Sequence, residues 1–389
     1  MWLPADEADE ADEARPFPSL RHDLGHGTDG MGIGLVGVGW IARLAHLPAY
    51  RKAGFRVVAA ADPDPEARRV AAVDWGIPHT YADYRDMLAR ADVLVVDVAT
   101  PAEQHPAIVA AAAAAGKHLL VQKPFARNYA EADAMVRIAA THGVRLAVNQ
   151  NARWAPAYQV AQRLVACGRL GEAYLFEHAF RGGGWGMPGI PPQSTWYSGV
   201  RHGILFESAI HYLDAAWWIM GAAPVRAACL WGRIPPGSPG PAAYALITAE
   251  LANGAYATLS FNPPHVGDEP TCGFRVAATR GSLVGDAGWV HWWNSERDRG
   301  DWLEVHLGGP GPVVHRRSWR TCWFPDAFRG AMADLMDAVR ADRTPLCSGA
   351  DNLHTMLFVE ACIRSADERH GDFVSLEETR QRAEAGREA

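Results

Sequence analysis

Two kinds of side chain that could carry chemistry stand in contexts typical of an active site, and the first is a lysine. Lys123 follows a short apolar run that ends at Val121, and Pro124 after it restrains the backbone. An ammonium held there can donate to a substrate hydroxyl and stabilise the alkoxide that forms as hydride leaves. The alternative is a solvated surface lysine, the commonest position of this residue type.

The second is a histidine that shares one face of a predicted helix with two acids. Glu207 lies four residues before His211, and Asp214 lies three residues after it. The near-neutral pKa typical of imidazole suits a general base that takes a hydroxyl proton, and Glu207 can orient a substrate. Asp214 lies within an apolar stretch and is expected to anchor the helix. A solvated helix face is the alternative interpretation of the same spacing.

A glycine-rich turn near the start of the chain predicts a dinucleotide site. The apolar run from Ile33 to Val36 indicates a buried parallel strand, and Gly37-Val38-Gly39 leads from it into a helix. Gly37 permits the sharp turn, and Gly39 lacks the Cβ that would block a pyrophosphate at the helix N-terminus. Ala42 takes the third position of the fingerprint, where a small residue lets helix and strand pack closely. Ordinary strands also end in glycine, so this turn alone is a weak signal.

An acid at the end of the second predicted strand strengthens the dinucleotide prediction. Asp62 lies 23 residues after Gly39, near the roughly 20 expected for a carboxylate that binds the adenosine ribose. No basic residue follows it directly, and a negative charge there disfavours a 2′-phosphate, so we expect NAD rather than NADP as the cofactor. The alternative role for Asp62 is that of a turn residue capping the next helix.

Alternating strands and helices from residue 31 to 150 predict an α/β architecture, a Rossmann domain with a doubly wound parallel sheet. Ligands bind outside the carboxyl ends of such strands, so the residues that follow several of them should face the cofactor. The candidate cofactor-binding residues are Gly37, Gly39, Trp40, Ile41, Asp62, Thr100, Pro101, His105, Gln122 and Lys123.

From residue 151 to 389 the strands are closely spaced, and several alternate apolar and polar residues. This pattern predicts an α+β domain with an open antiparallel sheet, one face of which is covered by a helix from Phe206 to Met220. A Gly- and Pro-rich stretch, Arg181 to His202, has the length of a binding loop or lid, or of a connection without a role. The candidate substrate-binding residues are Arg153, Trp154, Arg181, Trp185, Trp196, Tyr197 and His202.

Composition limits the class of protein. The 389 residues suffice for two domains, 49% of them are apolar, and no apolar run is long enough to cross a bilayer. Residues 1–30 contain an acidic Asp-Glu-Ala repeat, are expected to be disordered, and carry −6 of the net charge of −7. The nearly neutral remainder gives no argument for a nucleic-acid or membrane partner. The six cysteines lack zinc or redox spacing, so we predict no metal and expect a reducing, cytoplasmic compartment.

Five motifs occur in order along the chain, and together they resemble one known family. They are Gly37-Val38-Gly39-Trp40-Ile41-Ala42, Ala99-Thr100-Pro101 with His105, Ala115-Gly116-Lys117-His118, Lys123-Pro124 and Ile210-His211-Tyr212-Leu213-Asp214. This set resembles the Gfo/Idh/MocA family of glucose-fructose oxidoreductases and inositol dehydrogenases over nearly all of residues 31–375. The resemblance implies a Rossmann domain and a second domain that binds substrate and usually builds the interface of a homo-oligomer, here a dimer or tetramer. It also implies NAD(P)-dependent oxidation or reduction of a sugar or cyclitol carbon.

Carried over by position, Lys123 matches the lysine of the family's Glu-Lys-Pro motif, His211 matches its catalytic histidine, and Glu207 stands where the family usually has Asp. Two departures follow: Gln122 replaces the Glu of the motif and removes a charge beside Lys123, and Glu207 reaches one methylene further than Asp. The leading hypothesis is an NAD-dependent dehydrogenase of a sugar or cyclitol, with amino sugars and glycosides included. The alternatives are a lyase or glycosidase that acts by transient oxidation with tightly held NAD, and a non-catalytic cofactor-binding sensor.

Overall fold

The structure, a computed structural model, describes residues 30–181, 202–233, 243–262, 271–287, 300–308, 313–319 and 323–388. Contacts divide the chain into two compact units. Among the described residues, the first unit comprises those up to Asn151 together with Phe324–Met356, and the second comprises those of Ala152–Trp323 and Leu357–Ala389. Each unit is described by itself below.

The first unit contains the predicted Rossmann sheet, in which all six strands are parallel. Its strands are β1 (Gly32–Val36), β2 (Arg56–Ala61), β3 (His79–Tyr81), β4 (Val95–Val98), β5 (His118–Val121) and β6 (Leu146–Val148). They lie in the order β3-β2-β1-β4-β5-β6. The order reverses between β1 and β4, and doubly wound sheets bind their ligands at such a reversal.

Helices connect these strands and begin and end at residues suited to those positions. They are α1 (Leu47–Ala53), α2 (Pro65–Val73), α3 (Tyr84–Leu88), α4 (His105–Ala114) and α5 (Tyr129–Thr141). Asp64 caps α2 by accepting a hydrogen bond from the backbone N–H of Glu66, and Asn128 caps α5 in the same way through Glu131. A π-helical segment, Ala42–His46, precedes α1. Ala42 is fully buried in one apolar cluster with Leu35 and Val38, as the fingerprint predicts.

Helix α8 (Phe328–Arg340) belongs to the first unit, although the sequence pattern assigns all residues after 150 to a second domain. It packs against α1, β5 and β6, and the Phe328 ring lies 4.9 Å from the ring of His46. The chain therefore returns to the first unit after the second sheet. The pattern cannot indicate this return, because an amphipathic helix does not specify which apolar core it covers. Helix α9 (Gly349–Glu368) continues from the first unit into the second.

The second unit is built on a sheet of nine strands. Its strands are β7 (Ala173–Arg181), β8 (Pro224–Arg233), β9 (Ala243–Leu251), β10 (Tyr256–Asn262), β11 (Thr271–Ala278), β12 (Gly281–Asp286), β13 (Trp302–Leu307), β14 (Val313–Ser318) and β15 (Val374–Ser375). Its further helices are α6 (Pro156–Ala166), α7 (Ile210–Met220) and α10 (Leu376–Glu388), and a π-helical segment, Leu205–Ala209, leads into α7. The sequence also predicts a short strand at 290–293, and these residues lie outside the described part of the chain.

This sheet is mixed, whereas the sequence predicts an antiparallel one. Its order is β14-β13-β12-β11-β7-β10-β9-β8-β15, and every neighbouring pair is antiparallel except β7 and β10. A parallel pair needs a long crossover connection. Here α7 and the hairpin of β8 and β9 lie between β7 and β10 in the chain, so β10 returns beside β7 in the same direction.

The alternation of side chains in the second sheet agrees with the prediction that one face is covered. Phe176, His178 and Phe180 of β7 are buried, and Glu177 between them is exposed. Helix α7 packs against β7 and β10. The covered face therefore supports the helix that carries His211.

Candidate active site

The glycine turn has the geometry that a dinucleotide fingerprint requires. Gly37 has a φ of +90°, and a Cβ placed on it would lie 2.6 Å from the carbonyl oxygen of Ala99. Only glycine fits there, because a side chain would be both strained and in collision. A Cβ on Gly39 would meet no atom within 4 Å, and Gly39 is exposed. The turn therefore leaves open space at the start of the helix, where a pyrophosphate would bind.

Asp62 is held beside this turn by two backbone amides. Its Oδ2 accepts a hydrogen bond of 2.8 Å from the N–H of Val38, and its Oδ1 accepts one of 2.9 Å from Asp64. Helix α2 is capped by Asp64, so the alternative role of Asp62 as the helix cap does not apply. The carboxylate stands at the carboxyl end of β2, where an NAD ribose would be recognised.

Thr100 supplies a second feature that fits a dinucleotide. It follows β4 and lies against Gly37, because a Cβ on Gly37 would come within 3.0 Å of its methyl group. Its hydroxyl oxygen is buried and has no hydrogen-bond partner among the described residues. Trp40 and Ile41, at the start of the helix, are both half-buried. An unpaired buried hydroxyl and open space at Gly39 both suit a bound polar ligand at this edge.

His105 joins two loops of the first unit. Its Nδ1 lies 2.9 Å from the carbonyl oxygen of Phe125, and its Nε2 lies 2.9 Å from that of Thr100. Burial lowers the pKa of this imidazole, although the two carbonyl oxygens act in the opposite direction. The sequence predicts His105 as a cofactor contact, whereas in the structure both of its ring nitrogens face backbone carbonyl oxygens. Its position instead fixes the loop after β4, with Thr100 and Pro101, relative to the loop after β5.

Lys123 lies in the loop after β5, as predicted. It is half-buried, its backbone N–H donates to the side-chain oxygen of Gln122 at 2.7 Å, and the Lys123–Pro124 peptide is cis. The amide nitrogen of Gln122 lies 2.9 Å from Nε2 of His46. Sequence reasoning missed His46 and its partner Asp97, since they carry no motif of their own. The only signal was an aspartate within the apolar strand β4.

The second unit holds the predicted helical group. Glu207 lies in the π-helical segment and is half-buried, whereas His211 and Asp214 are buried in α7. The ring of Trp323 meets that of His211 edge to face, with centroids 4.9 Å apart. π-Helical segments are frequent at functional sites. The π-helical segment before α1 in the first unit likewise carries a polar side chain, that of His46.

Arg153 is placed where it supports α7. Its Nε and Nη2 donate to the two carboxylate oxygens of Asp214 at 2.7 Å each, and both side chains are fully buried. The guanidinium also lies over the ring of Trp217 at 4.9 Å. Asp214 thus anchors its helix as predicted. Arg153 is predicted to bind substrate, but its buried pairing with Asp214 gives it a structural role. Removal of one partner from such a buried ion pair destabilises a folded protein by several kcal/mol.

The remaining candidate substrate residues are dispersed. Trp154 is buried, and Arg181 is exposed at the end of β7. His202 is buried, and its Nε2 lies 2.8 Å from Oδ1 of Asp367. Its ring meets that of Trp231 edge to face, with centroids 4.4 Å apart. Trp185, Trp196 and Tyr197 lie outside the described residues.

A buried polar cluster lies behind α7 in the second unit. Nε2 of His178 is 3.0 Å from the hydroxyl of Tyr158 and 3.7 Å from the thiol sulfur of Cys272, and its ring stacks on Tyr212 at 4.3 Å. Burial lowers the pKa of His178 to about 3 and raises that of the Cys272 thiol. Both groups are therefore neutral near pH 7.

This cluster should make the second unit sensitive to acid. Because the folded pKa of His178 is below its unfolded value, its contribution to stability is complete above about pH 6.5. It falls by about 1.4 kcal/mol per pH unit below that value, until the folded pKa is reached. Replacing His178 and Tyr158 together by phenylalanine removes both hydrogen-bonding partners and should flatten this slope in urea unfolding. The exposed His142→Asn serves as the control, and an unchanged slope in the double variant would contradict the assignment.

Within the described residues, no group of three or more His, Cys, Asp or Glu side chains is placed to hold a metal ion. The same part of the chain contains no helix that is both long enough and apolar enough to cross a bilayer.

Comparisons with known proteins agree with this arrangement. Residues 31–150 match a family model described as an oxidoreductase family with an NAD-binding Rossmann fold, and residues 158–284 match the GFO/IDH/MocA C-terminal domain. The D-apiose dehydrogenase of Paraburkholderia graminis is 30% identical over 359 residues, which cover 90% of this chain and 91% of the relative.

Solved structures share the fold. An oxidoreductase from Agrobacterium radiobacter in complex with NAD+, L-tartaric acid and magnesium is 25% identical, with a TM-score of 0.75 over 90% of this chain and 99% of that one. A levoglucosan dehydrogenase in complex with NADH and levoglucosan is 23% identical, with a TM-score of 0.74 over 90% of this chain and 100% of that one. The protein is therefore an oxidoreductase of the Gfo/Idh/MocA family, with an NAD-binding Rossmann domain.

Proposed function

We propose that the protein is an NAD-dependent dehydrogenase that oxidises a hydroxyl carbon of a sugar or cyclitol. The observation that carries this proposal is the edge of the first sheet, where the open glycine turn, the unpaired Thr100 hydroxyl and Lys123 follow β1, β4 and β5. In a doubly wound sheet these strand ends meet at one crevice. A cation beside a dinucleotide site suits a reaction in which an alkoxide develops.

The nicotinamide, when bound, supplies the acceptor for hydride. In the proposed mechanism His211 accepts the hydroxyl proton of the substrate, and the Lys123 ammonium donates a hydrogen bond to the same oxygen as negative charge develops on it. Glu207 accepts hydrogen bonds from a second hydroxyl and orients the ring. The Arg153–Asp214 pair and the Trp323 ring restrain α7, so that the imidazole keeps its direction.

Asp62 supports NAD over NADP. Its carboxylate is fixed by the N–H groups of Val38 and Asp64 and retains lone pairs for ribose hydroxyls. A 2′-phosphate placed beside this charge would be repelled, at a cost that grows where solvent is excluded. Titration with both cofactors tests this choice: we expect NAD to bind more tightly, and tighter NADP binding would contradict the role of Asp62.

The named activities of relatives support a small sugar as substrate, because one relative is a D-apiose dehydrogenase and another is a levoglucosan dehydrogenase. The experiment is to incubate the protein with NAD and a panel of pentoses, anhydrosugars, inositols and amino sugars, and to follow NADH by absorbance. Steady NADH formation with one member supports a dehydrogenase. Turnover without net NADH would favour the lyase or glycosidase alternative, and NAD binding without any reaction would favour the sensor.

Two alanine substitutions separate cofactor binding from folding. Gly39→Ala should weaken NAD binding at least about tenfold, or about 1.4 kcal/mol, because its Cβ enters the space left for the pyrophosphate. Its unfolding free energy should stay nearly unchanged, since that Cβ meets no protein atom within 4 Å. Gly37→Ala should instead lower the unfolding free energy by about 1–3 kcal/mol, because of its positive φ and the collision with Ala99. NADH fluorescence titration and urea unfolding measure the two effects, and normal NAD affinity in Gly39→Ala would remove the turn from the cofactor site.

We also propose that the protein forms a homo-oligomer through the outer face of the second sheet. Apolar side chains are exposed on this face, among them Leu230 at 55% and Leu246 at 46% of their full area. Glu177 and Arg275 lie near each other on the same face, and their charged atoms are 3.9 Å apart. A second copy related by a two-fold axis would cover the exposed leucines. Its own Glu177 and Arg275 would present charges of both signs to the same pair of residues on the first copy.

A further inference from the structure

A chain of buried hydrogen bonds ends at the backbone of Lys123. It starts at Tyr50, whose hydroxyl donates to Oδ2 of Asp97 at 2.8 Å. The same carboxylate oxygen lies 2.7 Å from Nδ1 of His46. Nε2 of His46 lies 2.9 Å from the amide nitrogen of Gln122, and the amide oxygen of Gln122 accepts the N–H of Lys123 at 2.7 Å. All five residues belong to the first unit.

The direction of every bond in this chain follows from its last member. The backbone N–H of Lys123 can only donate, so the Gln122 atom facing it must be the carbonyl oxygen. The other end of that amide is then an NH₂ group, which donates to Nε2 of His46. Nε2 therefore carries no proton, and the imidazole proton resides on Nδ1 and points to Asp97.

Because these side chains are buried, one set of proton positions along the hydrogen bonds is strongly favoured over the others. His46 and Asp97 are fully buried, Gln122 is 5% exposed, and the Phe328 ring of α8 packs against the imidazole. A donor that faces a donor, or a carboxylate that faces a lone pair, costs most where water cannot intervene. The rotamer of Gln122 is thus determined by His46 and Asp97, and it determines where the Lys123 backbone lies.

We infer that His46 and Asp97 are positioning residues for Lys123, and that Gln122 is the amide their arrangement requires. A carboxylate at position 122 would face the lone pair of Nε2 while Asp97 already occupies Nδ1. The glutamine is therefore matched to an acid on β4, and the departure from the family's Glu-Lys-Pro motif is compensated within this chain. The role of Lys123 itself rests on the proposed function.

The other end of the loop is fixed independently. Phe125, two residues beyond Lys123, offers its carbonyl oxygen to the buried ring of His105. With His46 acting through Gln122 on one side and His105 on the other, the backbone of Lys123 and Pro124 is held from both directions.

A double-mutant cycle tests the matching of Gln122 to Asp97. Gln122→Glu alone should lower kcat about 100-fold, because the single proton of a neutral imidazole cannot serve two carboxylates and a second proton would place a charged imidazolium in a fully buried position. In the background of Asp97→Asn the same change should cost no more than about tenfold, since the imidazole proton can move to Nε2 and donate to the new glutamate. This difference is within the range of coupling between contacting residues. Additive effects on kcat would overturn the proposal.

Nitrogen NMR of labelled histidine gives a readout that does not depend on activity. The wild-type protein should show His46 with its proton on Nδ1, and the double variant should show it on Nε2. A wild-type signal for the Nε2–H form would overturn the chain of donors. Tyr50→Phe is the matched control, because it removes one hydrogen bond to Asp97 and leaves the imidazole proton where it is; kcat should change less than about threefold.

These readouts separate the inference from the proposed function. If the wild-type protein turns over no sugar while His46 shows the Nδ1–H form, the dehydrogenase proposal fails and the tautomer assignment stands. If the protein is active and kcat is unaffected by Gln122→Glu, the positioning role fails and the dehydrogenase proposal stands. NAD affinity should be preserved in Tyr50→Phe, since this change touches neither the glycine turn nor a candidate cofactor residue.

Discussion

Replacement of His211 by asparagine should lower kcat by about 100- to 10,000-fold, the range typical of a lost general base. Asparagine retains a similar size and hydrogen-bonding capacity but cannot accept the hydroxyl proton. Stopped-flow measurement of NADH formation by the wild type and the variant gives the two kcat values.

The matched control for this experiment is His142→Asn, which makes the same chemical change at an exposed residue beyond the end of α5. Its kcat should equal that of the wild type. NAD affinity should be preserved in His211→Asn, since the imidazole lies in the second unit and the glycine turn in the first. Full turnover in His211→Asn would remove this residue from the mechanism.

Replacement of Lys123 by methionine should lower kcat/KM by about 100- to 1,000-fold, as expected when a donor to a developing oxyanion is lost. Methionine preserves most of the length of the side chain and removes only the charge. Lys123→Arg should recover little activity, since a planar guanidinium cannot take the place of a compact ammonium. Steady-state kinetics with the best substrate of the panel measure these effects.

Lys117→Met is the control, because Lys117 stands before the amino end of β5 and Lys123 follows its carboxyl end. The Lys117 ammonium donates to the carbonyl oxygen of Arg90 and has no part in the proposed site. Its removal should affect stability slightly and leave kcat/KM nearly unchanged. Equal losses in the two variants would indicate a general effect of charge on the sheet, and would contradict a specific role for Lys123.

The local parts of the fold and of the site could be predicted from the sequence. The glycine turn, Asp62 at the end of β2 and Lys123 after β5 follow from residue type and spacing, because strand, turn and helix are determined within a short segment. The parallel direction of the strands in the first sheet also follows from its alternating pattern. The C-terminal end of α7 is also determined by nearby residues, since its C-cap is Gly221 with a φ of +73°.

The parts that depend on distant contacts could not be predicted. Arg153 and Asp214 are 61 residues apart, and nothing in their local sequence indicates that they form a buried pair. His46 acquires its importance from Asp97, which lies on β4, and from Gln122, which follows β5. The parallel pairing of β7 with β10 depends on how the intervening hairpin folds back. In each case the stabilising free energy comes from tertiary packing, and the spacing of residues along the sequence does not reveal those contacts.

The glutamine of the Gln122-Lys123-Pro124 sequence illustrates the same limit. From the sequence alone it is a missing charge and a reason to doubt the chemistry. In the structure its amide joins a buried imidazole to the backbone of Lys123. The same residue is therefore interpreted as a loss or as an adaptation, depending on whether its partners are known.

The central claim is that Lys123 and His211 act on one substrate oxygen beside the nicotinamide. A crystal structure of the protein with NAD and its best sugar substrate tests this claim most directly. The proposed mechanism predicts that Nζ of Lys123 and a ring nitrogen of His211 both lie about 2.6–3.2 Å from the same hydroxyl oxygen. Binding of the two side chains to different oxygens, or of the sugar away from both, would contradict it.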